Sequence, residues 1–319
     1  MKKLAVITPG GDAPGMNACL RAVVRKAVAC KFEVHGVLDG YTGLLNGDIY
    51  MMNARSVSGI IHRGGTILKS SRCAMIRTPE GMKTAVKTLK GRHIDCLIVI
   101  GGDGSIAAGA KISESGISVI GIPASIDNDV AGTDETIGFD TAVNTAVDAI
   151  DKIRDTATSF DRIFVVEVMG RRHGYLALEV GLASGAEFVI IPELKYDINA
   201  ICVDLKKDMA NRKTSEIIVF AEGSGSSADF AARLIKKTGM DVKVSNLGYI
   251  QRGGSPTARS RNLAARFGSY ALDLACRGKG NRVIVIQNNR VASIPLKSEI
   301  FAKKPLNAEI LKIIKELSV

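Results

Sequence analysis

Short runs of apolar, mostly β-branched residues recur along the chain, and each ends at or beside Gly, Pro, Asp or Glu. The runs cover residues 4–8, 34–38, 96–100, 119–122, 163–168, 188–191, 217–220 and 283–287. They are almost continuously apolar, whereas a strand with one solvated face would alternate apolar and polar residues. The pattern therefore predicts strands that are buried on both faces of a sheet.

Elsewhere, apolar residues recur at helical spacing, most clearly in residues 16–27, 82–89, 142–150 and 310–317. Strands that alternate with helices predict parallel sheets connected by crossover helices. A length of 319 residues suggests two domains at roughly 150 residues each. We therefore predict an α/β fold of two Rossmann-like three-layer αβα domains with mainly parallel sheets.

The composition excludes several classes of protein. Apolar residues make up 46% and charged residues 24%, which is ordinary globular usage and excludes disordered and collagen-like chains. The apolar runs are far shorter than the roughly 18 residues of a membrane-spanning helix, and the first of them predicts a strand rather than a secretory signal. Six Cys without a CxxC pair and four His without an HExxH motif favour reduced thiols in the cytoplasm and argue against a zinc site.

The net charge of +11 indicates an anionic ligand, either a nucleic acid or a small molecule. The sequence has no long run of Lys and Arg, no nucleic-acid-binding motif and no Trp, and aromatic residues make up only 5%. Base stacking is therefore disfavoured. We predict small phosphorylated ligands, with neither nucleic acid nor a membrane as a partner.

In open α/β sheets, ligands bind beyond the carboxyl ends of the strands, so the loops that follow the strands are informative. In the first loop, residues 9–17, glycines and a helix N-terminus would let backbone N–H groups approach a phosphate. This loop matches neither GxGxxG nor GxxxxGK[ST], and a tight structural turn explains it equally well. The second loop, residues 101–105, combines flexible backbone donors with the Asp103 carboxylate, which suits a nucleotide phosphate chain with Mg²⁺.

The third loop, residues 123–129, carries two carboxylates and a hydroxyl group. On an extended chain, Asp127 and Asp129 would project to the same side, about 6–7 Å apart. One of them is then available to take a proton from a hydroxyl group while the other serves a metal ion, and Ser125 adds a hydrogen-bond donor. A solvated acidic turn is the alternative explanation.

Arginines are a further candidate feature, at Arg72, Arg77, Arg162 and Arg252. A guanidinium binds two phosphate oxygens at once, so arginines placed after strands favour phosphate binding. Arg21 and Arg25 share one helix face, where an ordinary basic surface explains them equally well.

Together these motifs resemble those of the bacterial ATP-dependent 6-phosphofructokinases, over essentially the whole chain. The matching segments are residues 10–12, 61–66, 101–105, 126–129, 138–142, 169–171, 221–223 and 251–256. The resemblance implies a glycolytic kinase that transfers a phosphoryl group from MgATP to the 1-hydroxyl of fructose 6-phosphate, giving fructose 1,6-bisphosphate and ADP. It also implies a homotetramer with active sites shared between subunits.

The resemblance implies roles for individual residues. Asp127 is the expected general base, Ser125, Arg72 and Arg171 are further expected catalytic residues, and Asp103 is the expected Mg²⁺ ligand. The expected ATP-binding residues are Gly11, Arg72, Cys73, Gly102, Asp103, Gly104 and Ser105. The expected substrate-binding residues are Ser125, Asp127, Arg162, Met169, Arg171, Glu222, Lys243, Tyr249 and Arg252. A pocket for ADP or phosphoenolpyruvate as effector is expected at Arg21, Arg25, Arg154, Gly185, Glu187 and Lys213.

The resemblance also implies a division of labour between the two domains. Residues 1–138 with 252–305 are expected to form a larger nucleotide-binding domain. Residues 139–251 with 306–319 are expected to form a smaller sugar-phosphate-binding domain.

Some positions bear on the phosphoryl donor and on the sugar phosphate. Gly104 is typical of the ATP-dependent enzymes, because the pyrophosphate-dependent ones carry Asp there. Ala124 stands where Gly is usual, or Lys in the pyrophosphate type, and its methyl group fits only if the backbone avoids positive φ. Lys243 replaces an Arg and Tyr249 replaces a His, which predicts altered sugar-phosphate binding.

In the effector pocket, Gly59, Asn211 and Ser215 replace residues that are usually charged or basic, which predicts a weakened response to effectors. Two other functions stay open: a kinase for another sugar phosphate, such as tagatose 6-phosphate, or a weakly active regulatory paralogue. Asp103 and Asp127 argue against the paralogue, and the glycine spacing argues against a nicotinamide-dependent dehydrogenase.

Overall fold

The computed structural model describes residues 2–211, 213, 215–296 and 304–317. They divide into two compact units, of which the first is Met1–Thr141 with Arg252–Lys304 and the second is Ala142–Gln251 with Pro305–Val319. The predicted larger domain includes residues 297–303, which lie outside the described residues. The assignment of nucleotide binding to one domain and sugar-phosphate binding to the other stays a prediction.

Strands and helices alternate along most of the chain. The strands are β1 (Lys3–Ile7), β2 (Glu33–Val37), β3 (Ile49–Met52), β4 (Cys96–Gly101), β5 (Ser118–Pro123), β6 (Ile163–Val168), β7 (Phe188–Ile190), β8 (Glu216–Ala221), β9 (Val242–Asn246), β10 (Arg282–Gln287) and β11 (Arg290–Pro295). The helices are α1 (Met16–Ala29), α2 (Gly40–Asn46), α3 (Pro79–Gly91), α4 (Asp103–Ser113), α5 (Phe139–Phe160), α6 (Tyr175–Ser184), α7 (Ile198–Ala210), α8 (Ser227–Thr238), α9 (Ala258–Cys276) and α10 (Ala308–Leu317). Within the described residues, no helix is both long and apolar enough to span a bilayer.

The first unit is built on a sheet with the strand order β11-β10-β5-β4-β1-β2-β3. Its interior pairings are parallel, and only the outermost pairs, β2 with β3 and β10 with β11, are antiparallel. Helices α1 and α9 pack together on one face, while α2, α3 and α4 cover the other. Because helices cover both faces, β4 is buried at every position, which explains its continuously apolar sequence.

The second unit contains a parallel sheet with the order β7-β8-β6-β9. Helices α7 and α8 cover one face through Leu205, Phe230 and Leu234, and α6 and α10 pack on the other. The rings of Phe220 on β8 and Phe230 on α8 lie 5.3 Å apart between centroids, at the centre of this core. The two αβα units confirm the predicted fold class.

All eight predicted strands are present, and each agrees with the structure to within one residue at either end. Strands β3, β9 and β11 were not predicted from the sequence. These strands lie at sheet edges and are only partly buried, so their sequences lack the continuous apolar run that marks an interior strand.

Candidate active site

The three loops singled out in the sequence lie side by side at one edge of the first unit's sheet. They follow β1, β4 and β5, which are neighbours in parallel pairing. Ser105 Oγ donates a hydrogen bond to the Pro9 carbonyl at 2.8 Å, and the Ala124 N–H donates to the Gly101 carbonyl at 3.0 Å. Each loop is therefore bonded to the next.

A cavity of about 380 Å³ lies against the first of these loops. It is lined by Gly10, Gly11, Asp12, Gly65, Thr66, Lys69, Ser70, Arg72 and Arg252. The lining combines three cationic side chains with one carboxylate and the exposed backbone of glycines. This charge balance and the cavity's size suit an anionic ligand such as a phosphate group.

Arg252 lies directly over the first loop. A Cβ atom added to Gly11 would stand 2.8 Å from Arg252 Nη1, so the guanidinium approaches the backbone closely only because residue 11 is Gly. Arg252 Nη1 is also 3.8 Å from Asp12 Oδ1. The structure thus brings Arg252, predicted for the sugar phosphate, next to Gly11, predicted for ATP.

The second loop presents the N-terminus of a helix. Gly102 precedes α4, Asp103 is its first residue, and the Gly104 N–H donates to Asp103 Oδ1 at 2.6 Å. Asp103 and Gly104 are exposed. The positive end of the helix dipole and free backbone donors favour phosphate oxygens here, and the Asp103 carboxylate is the hard oxygen donor that Mg²⁺ prefers.

Arg72 and Cys73, although adjacent in sequence, differ in environment. Arg72 is exposed and lines the cavity, whereas Cys73 packs against the apolar core of the first unit. The geometry therefore supports Arg72 as a phosphate ligand more directly than it supports the Cys73 thiol as an ATP contact.

The third loop is a tight turn, so the expectation of an extended chain is wrong. Asn128 has φ 52, in the left-handed region, and its Oδ1 accepts a hydrogen bond from the Thr136 N–H at 3.1 Å. The Asp127 N–H donates to Ser125 Oγ at 3.2 Å, while Ser125 Oγ donates to Asp129 Oδ1 at 3.4 Å. The turn buries Asp127, which is 3% exposed, and Asp129 braces Ser125.

Ala124 is accommodated without backbone strain. It is buried, forms a bridge to Ile137, and does not have a positive φ. The condition set for a methyl group at this position is therefore met.

The motifs at residues 61–66 and 251–256 pack against each other in the segment that contains Arg252. Asn17 Nδ2 donates to the carbonyls of Arg63 and Gly64 at 3.1 and 3.0 Å, and Ser255 Oγ donates to the His62 carbonyl at 2.8 Å. A Cβ atom on Gly64 would lie 2.4 Å from the Gly254 carbonyl oxygen. Both motifs stand out in the sequence, but their packing against each other was not predicted.

In the second unit, Glu222 braces the turn that carries Arg171. Its Oε1 accepts hydrogen bonds from the N–H groups of Gly170 at 3.2 Å and Arg171 at 2.6 Å, and both residues have positive φ. Met169 is buried, and its N–H donates to Gln251 Oε1 at 3.4 Å. Glu222 thus holds the backbone while the Arg171 side chain is exposed.

Arg162 and Lys243 meet at a carboxylate that the sequence analysis missed. Arg162 Nε is 2.6 Å from Asp241 Oδ2, and Lys243 Nζ is 2.8 Å from Asp241 Oδ1. The hydrogen bond from Lys243, with that from Arg162, holds the pKa of Asp241 below its ordinary value. Only the position of Asp241 two residues before Lys243 hinted at this. Tyr249 is 80% exposed.

A family model described as Phosphofructokinase matches residues 3–275. The chain belongs to the phosphofructokinase family. It is 49% identical over 319 residues to the ATP-dependent 6-phosphofructokinases of Halalkalibacterium halodurans and Bacillus subtilis, and 50% identical to that of Clostridioides difficile, with 100% of each chain covered. The resemblance inferred from the motifs is confirmed.

Solved structures agree on the phosphofructokinase fold. Phosphofructokinase from Saccharomyces cerevisiae superposes with a TM-score of 0.86 at 33% identity, covering 99% of this chain and 46% of that one. The pyrophosphate-dependent phosphofructokinase from Marinobacter aquaeolei shares the fold, with a TM-score of 0.84 at 22% identity, covering 97% of this chain and 86% of that one.

Four of the six predicted effector residues form a cluster in the second unit, here called the effector cluster: Arg154, Gly185, Glu187 and Lys213. Arg154 Nη2 donates to the Gly185 carbonyl at 3.0 Å, while Arg154 Nη1 and Lys213 Nζ lie 3.6 and 3.3 Å from Glu187 Oε1. The other two, Arg21 and Arg25, lie one turn apart on α1 in the first unit.

Three positions assigned to the predicted effector pocket differ from usual family residues, and each has a local role. Gly59 has φ 67, a conformation that favours glycine. Asn211 ends α7, and its N–H donates to the Lys207 carbonyl at 3.1 Å. Ser215 Oγ is 3.4 Å from Thr158 Oγ1.

Glu216 is a buried carboxyl group beside this cluster that the sequence analysis missed. It is 2% exposed, and its Oε2 has no hydrogen-bond partner among the described residues. Burial and the neighbouring Glu187 charge raise its pKa to about 8, although Lys213 opposes the shift. An acidic residue directly before the apolar run 217–220 was the available signal, because β8 extends to include it.

Gly64→Ala should weaken the packing between the motifs at residues 61–66 and 251–256. The added methyl group meets backbone that cannot move aside, and overpacking of this kind costs about 1–3 kcal/mol. Gly91→Ala is the matched control, because nothing lies within 4 Å of its Cβ position and its φ is not positive. Urea denaturation of both variants tests this, and equal midpoints would contradict it.

Glu216→Gln should flatten the pH dependence of stability. The pKa of Glu216 rises from 4.5 to about 8 on folding, so the folded chain keeps a proton that the unfolded chain releases between those values. The free energy of unfolding therefore falls as pH rises through this interval, by up to about 1.4 kcal/mol per pH unit. Urea midpoints from pH 5 to 8 measure this slope. The exposed Glu309→Gln control should keep the wild-type slope, and an unchanged slope in Glu216→Gln would refute the assignment.

Proposed function

We propose that this chain transfers the terminal phosphoryl group of ATP to the 1-hydroxyl of fructose 6-phosphate, giving fructose 1,6-bisphosphate and ADP in glycolysis. The proposal depends on the cavity lined by cationic side chains beside the first loop. This loop is hydrogen-bonded to the second loop, and the second is hydrogen-bonded to the third, where the loops follow β1, β4 and β5. Full-length similarity to relatives named ATP-dependent 6-phosphofructokinase supports the same reaction.

The ATP phosphates are assigned to the first unit. Gly11, Gly102 and Gly104 offer backbone that a phosphate approaches closely, Arg72 supplies a guanidinium, and the N-terminus of α4 adds its dipole. Ser105 contributes by holding the first and second loops together through Pro9.

Asp103 fits the role of Mg²⁺ ligand. Its carboxylate is exposed at the start of α4, on the loop assigned to the phosphates, and Mg²⁺ in kinases is held by one or two carboxylates together with substrate phosphates and water. The ion supplies neutralisation of the charge that develops on the transferring phosphoryl group.

Asp127 is assigned as the general base that accepts the proton of the attacking 1-hydroxyl. Phosphoryl transfer asks the protein for positioning and charge stabilisation more than for covalent chemistry. The turn holds Asp127 through its N–H bond to Ser125, and Asp129 in turn holds Ser125. We assign Arg171 and Arg252 to phosphate oxygens, and Met169 and Glu222 to shaping the sugar-phosphate site.

Two residues favour ATP over pyrophosphate as the donor. Gly104 brings no carboxylate to the phosphate loop, so it leaves room and avoids charge repulsion. Ala124 brings no ammonium group that would hold a pyrophosphate, and its methyl group fits the local backbone.

We further propose a cytoplasmic homotetramer. Arg162 and Lys243 are assigned to the sugar phosphate of a neighbouring subunit, with Asp241 holding both in place, and Tyr249 is assigned to the 6-phosphate. ADP or phosphoenolpyruvate is assigned to the effector cluster together with Arg21 and Arg25.

A kinase for another sugar phosphate is the second candidate. It is favoured by Lys243 and Tyr249 at the sugar-phosphate end. The Lys243 ammonium is a point charge where a forked Arg guanidinium is usual, and the Tyr249 phenol is neutral where a basic His is usual.

A substrate panel decides between these candidates. Steady-state rates with fructose 6-phosphate should exceed those with tagatose 6-phosphate, and ATP should support turnover where pyrophosphate does not. A fructose 6-phosphate KM in the usual enzyme range of ~1 μM–1 mM would show that Lys243 and Tyr249 suffice. Faster turnover of tagatose 6-phosphate would favour the second candidate.

Asp127→Asn should lower kcat by about 10²–10⁴, the usual contribution of general acid–base catalysis, because the amide cannot accept the hydroxyl proton. The KM for ATP should change little, since the phosphates are assigned to other loops. Asp48→Asn, an exposed carboxylate after α2, is the matched control and should keep wild-type turnover. Turnover within threefold of wild type would remove Asp127 from the role of base.

A further inference from the structure

Helices α1 and α9 end side by side in the first unit. A Cβ atom on Gly268 of α9 would lie 3.0 Å from the Cys19 carbonyl of α1, and further along Lys26 Nζ donates to Ser269 Oγ at 2.8 Å. Lys26 Nζ also pairs with Asp273 Oδ1 at 2.7 Å. The contacts advance in the same direction along both helices, so the helices run parallel and their C-terminal ends coincide.

Each of these ends carries a cysteine. Cys30 directly follows α1 and Cys276 is the last residue of α9, so the packing of the two helix ends brings the two thiols together as interacting neighbours. Both are free thiols, Cys276 exposed and Cys30 partly exposed. By contrast, Cys19, Cys96 and Cys202 are buried, and Cys73 packs against the core.

We propose that Cys30 and Cys276 form a reversible redox site, which closes to an intrachain disulfide by exchange with a small-molecule disulfide. The inference rests on the packing of α1 against α9 and is independent of the kinase reaction. It does not involve the cavity or the effector cluster.

The exchange balances in two steps. The Cys276 thiolate attacks one sulfur of the small disulfide, whose S–S bond breaks and releases one small thiolate. The Cys30 thiolate then attacks Cys276 Sγ in the mixed disulfide and displaces the second small thiolate. The protein loses two thiol hydrogens, and the small disulfide is reduced to two thiols.

The surroundings make the site slow to react. Partial burial raises the pKa of the Cys276 thiol, and Cys30 and Asp273 raise it further while Lys26 opposes them. A smaller fraction of thiolate slows the attack on the small disulfide. A disulfide is strongly oxidising when its reduced form contains a stabilised thiolate, and the Cys276 thiolate has no such stabilisation. We therefore expect a disulfide that forms over minutes to hours and is not readily lost to dilute thiols.

The full-length protein, reduced and then incubated with oxidised glutathione at pH 8, provides the test. After free thiols are blocked, a non-reducing peptide map should show one cross-linked peptide pair containing Cys30 and Cys276, two hydrogens lighter than the separate peptides. Dithiothreitol should remove it. Cys73→Ser should leave the cross-link unchanged, since Cys73 lies on a different segment.

Single variants separate the steps. In Cys30→Ser, Cys276 should retain a glutathione adduct, because no second thiol is present to displace it. In Cys276→Ser the cross-link should be lost, and in the wild-type protein its yield should not depend on protein concentration. A lasting adduct on wild-type Cys276, a link between two chains, or unmodified thiols after many hours would each overturn the proposal.

Discussion

Strands β1, β4 and β5 pair in parallel, and this pairing sends the three loops that follow them to one edge of the sheet. Hydrogen bonds from Ser105 to Pro9 and from Ala124 to Gly101 then join the loops laterally. The assignments of the three loops to the phosphates and to the base depend on this arrangement, because loops far apart in sequence act together only if their strands are neighbours. The helices on both faces of the sheet hold the strands in place, and the strands in turn hold the ends of the loops.

Within this frame, close approach of backbone and side chain recurs as a means of positioning charge. Because Gly11 has no side chain, the Arg252 guanidinium can lie close to its backbone. Gly64 likewise leaves room for the carbonyl group of Gly254, which is on the same loop as Arg252. In the second unit, Glu222 serves the turn of Arg171 through backbone N–H groups. In these cases, a glycine or a carboxylate that accepts backbone hydrogen bonds positions an arginine. The guanidinium group of that arginine is then available to bind an anion.

Carboxylates near the predicted regulatory and intersubunit residues differ in charge state for physical reasons. Asp241 lies exposed between two cations, which hold its pKa below the ordinary value. Glu216 is buried beside Glu187, which raises its pKa to about 8. The effector cluster is also not simply basic, because Arg154 and Lys213 already lie within 3.6 Å of the Glu187 carboxylate.

The amino-acid sequence alone determined the interior of this protein. Residues 96–100 and 163–168 predicted their strands because burial on both faces demands continuous apolar residues, and the loops that follow the strands were the candidates for ligand binding. Tertiary structure alone decided what depends on partners far along the chain. The edge strands β3, β9 and β11 carry no such run. The place of Arg252 depends on Gly11, and the raised pKa of Glu216 depends on its burial in the folded chain and on Glu187. The apolar pattern of each segment indicates whether it is buried, whereas its hydrogen-bond partners and the pKa values of its side chains depend on which other segments it contacts.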